Sequence, residues 1–279
     1  MAWLTDLHAD RHWFLLADVG YGLSLLYSTF LWRRGFRQDN RLNYLLLAVG
    51  FAFNTVAMFM RGFNLRHCPV NNLYEATIFV AWTIAAVCLV MGAWSRLRVL
   101  CAFVSPALFA IGLFALMPAL DPPHGPKPQF SGAAASAHAA LVLLAYGAFG
   151  LAAASGIMFV TQEHNLKFHK LRAVLSFFPP LQRLESVTSR LVVAGFILLT
   201  VGLAIGGELP RPAGVEFYQD AKVVWSAVLW LLYLVLLVLR WKFAQSGRRF
   251  AIGVIGVFVF VALTFWGTNL LSPLHQHAP

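Results

Sequence analysis

Apolar stretches of about 20 residues recur along the whole of this 279-residue chain, each long enough to cross a hydrocarbon core roughly 30 Å thick. A backbone inside lipid has no water to bond with, so a lone crossing segment must satisfy its own amides as a helix. The sequence therefore predicts an all-α polytopic membrane protein of about eight transmembrane helices. They fall near 13–31, 42–60, 73–94, 98–117, 136–162, 188–207, 221–241 and 249–271. Composition agrees: 59% of residues are hydrophobic and only 11% charged, with a mean hydropathy of +0.71, whereas a soluble domain carries roughly 25% charged residues. Pro and Gly in 118–129 and 206–214 mark non-helical links. The expectation is one transmembrane domain over 1–279, with no soluble unit large enough to carry a function alone. The first span has no basic leader and no small-residue cleavage site after it, so it is expected to remain.

A net charge of +10 could suggest nucleic acid, but the placement of the charge argues for no such partner. Fifteen Lys and Arg residues, from Arg33 to Arg249, fall in loops or at span ends on one side of the predicted spans. Six fall on the other: Arg11, Arg61, Arg66, Lys127, Arg211 and Lys222. The richer side faces the cytoplasm, so both termini are expected outside, in the periplasm of a bacterial cell. The expected location is the bacterial inner membrane, crossed many times. The three cysteines, Cys68, Cys88 and Cys101, form no Cys-x-x-Cys pair and suggest neither a disulfide framework nor a thiol-redox motif.

Orientation makes the histidines informative. His138 opens the fifth span and His275 lies just past the eighth, so both are expected at the outer membrane face. Two imidazoles at one level can supply both axial positions of a haem iron. A histidine that merely tolerates the headgroup region has the same sidedness. The outer loop about 206–225 carries Phe217, Tyr218, Asp220, Lys222 and Trp225 after a run of glycines and prolines. Its aromatic faces could take a planar ligand, with Lys222 meeting a carboxylate. An ordinary aromatic belt with a snorkelling lysine would read alike.

Two acids in or beside spans stand out. Glu75 follows Asn71 and Asn72 at the start of span three, where an Asn cap and a first-turn carboxylate account for the pattern structurally. Asp18 lies about a turn and a half into span one, where an acid needs a partner or a watery cavity.

Pro69-Val70-Asn71-Asn72-Leu73-Tyr74-Glu75 resembles the Asn-Leu-Tyr-Glu helix entry of the CcsA/ResC-type cytochrome c assembly proteins, within a wider group that includes HemX-like proteins. Asp220-Ala221-Lys222-Val223-Val224-Trp225 is similar to the close of that family's tryptophan-rich WWD segment, and Phe265-Trp266-Gly267-Thr268-Asn269-Leu270-Leu271 to its ending. His138 and His275 match its two periplasmic histidines. The resemblance implies haem b held at the periplasmic face, with His138 and His275 on the iron. It implies a platform of Phe217, Tyr218, Asp220, Lys222 and Trp225, and no catalytic side chain of the chain's own. It further implies work beside a ResB/CcsB-type membrane partner, in a complex that attaches haem to apocytochrome c.

The match departs from the family at two places. Gln219 replaces the Trp that precedes Asp, and Val238, which cannot ligate iron, stands at the usual span-seven intramembrane histidine. A HemX-like accessory role without haem delivery is thus also compatible. A secondary transporter fits less well, because ionisable residues within the spans are few.

Overall fold

The computed structural model describes residues 9–33, 40–65, 72–93, 97–121, 132–167, 180–209, 220–243 and 247–271. Among them are eight α-helices: α1 Ala9–Arg33, α2 Arg41–Leu65, α3 Leu73–Gly92, α4 Val99–Ala115, α5 Ala133–Lys167, α6 Leu181–Gly207, α7 Ala221–Lys242 and α8 Arg248–Leu271. A short 3₁₀ turn, Pro118–Leu120, follows α4. No strand occurs among the described residues, and the chain is an all-α polytopic membrane protein. By length and composition, α1, α2, α3, α5, α6 and α7 can each cross a membrane, while α4 is a shorter apolar helix of 17 residues. A helix lies at each predicted span. Several helices overrun them: α6 begins at Leu181, directly after Pro180, rather than near 188. Pro106 lies inside α4, which continues through it.

Two packed clusters form the interior. The first is centred on α1 to α4 and takes in Leu151, Met158 and Phe159 of α5, Leu184 of α6 and Ala251 of α8. The second is centred on α5 to α8 and takes in Ala76 and Phe79 of α3. Hydrophobic burial adds little between helices that already sit in hydrocarbon, so close van der Waals packing and polar contacts must hold them. The sequence of α5 meets that need with small residues from Ala145 through Gly156, nearly all buried. With α3, α5 is the most enclosed of the spans, 72% buried against 22% for α6. Phe149 of α5 stacks on Tyr233 of α7, with ring centroids 3.6 Å apart and planes at 8°. Large apolar side chains point outward on the peripheral helices, including Leu26, Phe59 and Leu263. They form the surface that lipid covers.

Polar clamps close the basic-rich end. Arg240 of α7 donates to Glu185 of α6 at 2.9 Å and lies over the Phe250 ring of α8. Cys88 of α3 and Cys101 of α4, thirteen residues apart, place their Sγ atoms 2.7 Å from each other. Two buried free thiols thus meet where sequence spacing showed no pair.

Candidate functional site

The opposite end of the bundle gathers the starts of α1, α3, α5 and α7 with the ends of α2, α4, α6 and α8. His138, in the second turn of α5, meets the last turns of α6 there. Its Nδ1 lies 2.7 Å from the Gly202 carbonyl oxygen. A carbonyl only accepts, so Nδ1 carries the hydrogen and Nε2 keeps its lone pair. Two glycines one helical turn apart make the approach possible. A Cβ on Gly202 would come within 2.9 Å of Val142, and a Cβ on Gly206 within 2.6 Å of both Nδ1 and Cε1 of His138. The α6 backbone is bare where the imidazole rests on it.

The start of α7 completes this corner. Asp220 caps the helix, its Oδ1 accepting from the backbone N–H of Lys222 at 2.9 Å and of Val223 at 3.2 Å, the standard role of a side-chain oxygen at a helix start. Lys222 lies within electrostatic reach of both Asp220 and His138. Trp225 is buried; its indole N–H donates to Thr264 of α8 at 2.6 Å, and its ring meets Tyr146 edge-on at 5.9 Å. In this place Trp225 braces the wall behind the site. Thr264→Val should leave the Trp225 N–H without this acceptor and cost about 1–3 kcal/mol, read as lower resistance of the purified protein to denaturant. An unchanged midpoint would count against that bond.

His138, Asp220, Lys222 and Trp225 thus converge on one end of α5 to α8. His275, Phe217 and Tyr218 lie outside the described residues. Val238 faces outward on α7, 38% exposed, so in this chain position 238 does not look into the bundle. Among the described residues no set of three or more His, Cys, Asp or Glu side chains is placed to hold a metal ion. A haem needs only axial donors, and His138 suits one: a metal-binding histidine commonly gives its other N–H to a backbone carbonyl, which fixes ring and tautomer.

The outer ends of α1 to α4 hold a second polar centre, which the sequence reading did not assemble. Arg61, at the end of α2, is 5% exposed. Its Nε donates to Glu75 at 2.9 Å, Nη1 to Asp10 at 3.2 Å and Nη2 to Asp121 at 2.5 Å. Arg11 also meets Asp121, at 3.4 Å, and donates to the Leu116 carbonyl at 2.7 Å. Both guanidinium groups lie over the Tyr74 ring, 5.3 and 5.4 Å from its centre. Asn72 caps α3 as expected, accepting from the Glu75 N–H at 2.7 Å, while its Nδ2 donates to Asp121 at 2.8 Å. The Glu75 carboxylate, however, is turned to Arg61, so the acid read as part of a capping box is one arm of a buried charge network. The available signal was three acids and two arginines at the outer ends of four otherwise apolar spans.

These features agree with comparisons to known proteins. The sequence profile described as "Cytochrome C assembly protein" matches residues 70–275. Cytochrome c biogenesis protein CcsA of Synechococcus sp. (strain CC9605) is 25% identical, over 84% of this chain and 85% of its own. CcsA of Parasynechococcus marenigrum (strain WH8102) is 24% identical, over 94% and 96%. CcsA of Synechococcus sp. (strain CC9902) is 27% identical, over 84% and 85%. With the profile spanning most of its length, from the helix entry at Asn72 to the tail beyond α8, the chain belongs to the cytochrome c assembly protein family.

Proposed function

We propose that this protein holds haem b at the periplasmic face of the bacterial inner membrane, for attachment to apocytochrome c beside a ResB/CcsB-type partner. A place in cytochrome c biogenesis follows from the family; the haem-holding role rests above all on His138. Its imidazole is locked by the Gly202 carbonyl with Nε2 left as a donor for iron. His275 would supply the opposite axial position, and Phe217 and Tyr218 the faces against which the macrocycle lies. Lys222, close to His138, supplies a cation for a haem propionate, while Asp220 fixes the start of the helix that carries it. Haem brings the reactive chemistry; the chain supplies ligation, orientation and shelter from water.

The test is an absorption spectrum of the full-length protein purified from membranes of haem-replete cells. Wild type should show a Soret band, and His138→Ala with His275→Ala should remove it. An unchanged band in the double variant would end the ligand assignment. An accessory role in the HemX manner is favoured by one observation, the outward-facing valine at position 238. Normal covalent c-type haem in cells lacking the gene would favour that reading instead.

A further inference from the structure

A buried polar file runs along one face of α1, away from the haem corner. Asp18 is 2% exposed, and its Oδ1 has no hydrogen-bond partner. It lies against α4 at Gly112, where a Cβ would collide with the carboxyl group. Tyr21, Ser24 and Ser28 follow at three- and four-residue spacing, so all share the face of Asp18. Tyr21 Oη accepts from Asn54 Nδ2 at 3.3 Å. Ser24 Oγ donates to Asn43 Oδ1 at 2.9 Å and lies 2.8 Å from Ser105 Oγ. Ser28 Oγ lies 2.7 Å from the Ser24 carbonyl and 3.0 Å from the same Asn43 oxygen.

The unpartnered atoms continue this line. Asn54 Oδ1, Asn43 Nδ2 and Asn40 Oδ1 are buried without partners, like Asp18 Oδ1. Buried polar atoms in native proteins are almost always satisfied, by water if not by protein. Four such atoms, from mid-span to the start of α2, mark places where water can bridge one hydroxyl to the next.

Charge adds the decisive constraint. Between Val99 and Ala115, α4 carries no ionisable side chain except Cys101, and α2 carries only Arg41 and Tyr44 at one end and Arg61 at the other. On α1, His12, Arg11 and Asp10 lie six, seven and eight residues away, on the order of 9–12 Å along the axis, with Asp10 engaged by Arg61 and Arg11 by Asp121. Tyr21 is the titratable neighbour. A carboxylate so placed has no counter-ion, and in hydrocarbon that state is expensive.

We propose that Asp18 is an intramembrane proton-exchange site, reached from the basic-rich end through Asn40, Asn43, Ser28, Ser105 and Ser24. A proton passes from water along the hydroxyl file to Ser24, then by bridging water over the remaining six residues of helix, about 9 Å, to the Asp18 carboxylate, forming the carboxylic acid. Release returns it by the same route, with no change in oxidation state. The ligand is the proton, and the file joins the α1–α2–α4 packing to the cytoplasmic solution. This site shares no residue with the haem corner and stands or falls apart from it.

Infrared difference spectroscopy of the full-length protein in lipid tests this. Wild type at neutral pH should show a carboxylic C=O band that disappears in Asp18→Asn and shifts on transfer to D2O. Ser24→Ala should keep the band but slow its shift. A band that never shifts means a sealed structural acid and overturns the proposal. So does a spectrum unaltered by Asp18→Asn, or exchange at the wild-type rate in Ser24→Ala. If Asp18→Asn does not fold, the D2O shift in wild type and in Asp18→Glu still decides.

Discussion

Arg61→Met is expected to cost about 3–5 kcal/mol of stability, the cost typical of leaving buried charge without its partner. Arg61 is the shared donor for Asp10, Glu75 and Asp121, and two of those carboxylates are 1% exposed or less. Methionine replaces the apolar stem of the side chain but offers no donor to three carboxylates. Denaturant titration of the purified protein, followed by near-ultraviolet signals from Tyr and Trp, measures the loss. The variant with Arg61→Met, Asp10→Asn and Glu75→Gln together should recover part of it, because neutral partners no longer demand a cation. A wild-type midpoint in the single variant would mean that the network contributes nothing to stability. Lysine should rescue poorly, since one ammonium cannot present the three separate nitrogens that guanidinium gives to three segments.

Gly206→Ala should weaken haem retention about 10–100-fold, the usual effect of losing a contact that orients a metal ligand. The added methyl would meet His138 at 2.6 Å and push the ring off the Gly202 carbonyl. Alanine favours a helix over glycine, so stability should not fall with the haem signal. Haem titration of the apoprotein separates the effects: weaker binding with an intact unfolding midpoint is expected. Full haem affinity in Gly206→Ala would show that ring position does not govern ligation. His138→Ala in the same titration sets the scale for complete loss of that ligand.

The helices were legible in the sequence, because length and apolarity alone decide what can cross lipid. Their ends were less so: α5 runs from Ala133 to Lys167, beyond the apolar window of 136–162, since a helix does not stop where hydrocarbon does. His138, Asp220, Lys222 and Trp225 could be named from motif and sidedness. What could not be read was the agent that fixes His138, a backbone carbonyl and two absent side chains 64 or more residues away. Trp225 shows the same limit, since contacts with Thr264 and Tyr146, far from it in sequence, hold its indole inward. Arg61 was counted merely as one cation on the sparse side, because its partners come from three other segments.

The Arg61 network also bears on how the chain is made. Synthesis delivers Asp10 first, then Arg61 and Glu75, and Asp121 only after a further 60 residues beyond Arg61. Until α4 has emerged and turned back to the same face, the cation lacks its closest oxygen and Arg11 its acidic partner. The first four spans therefore carry an unfinished electrostatic knot through insertion, tied when the fourth arrives. A chain halted after α3 would be balanced in charge at this end, two arginines against two acids, yet would lack the one carboxylate that accepts from Arg11, Arg61 and Asn72 together.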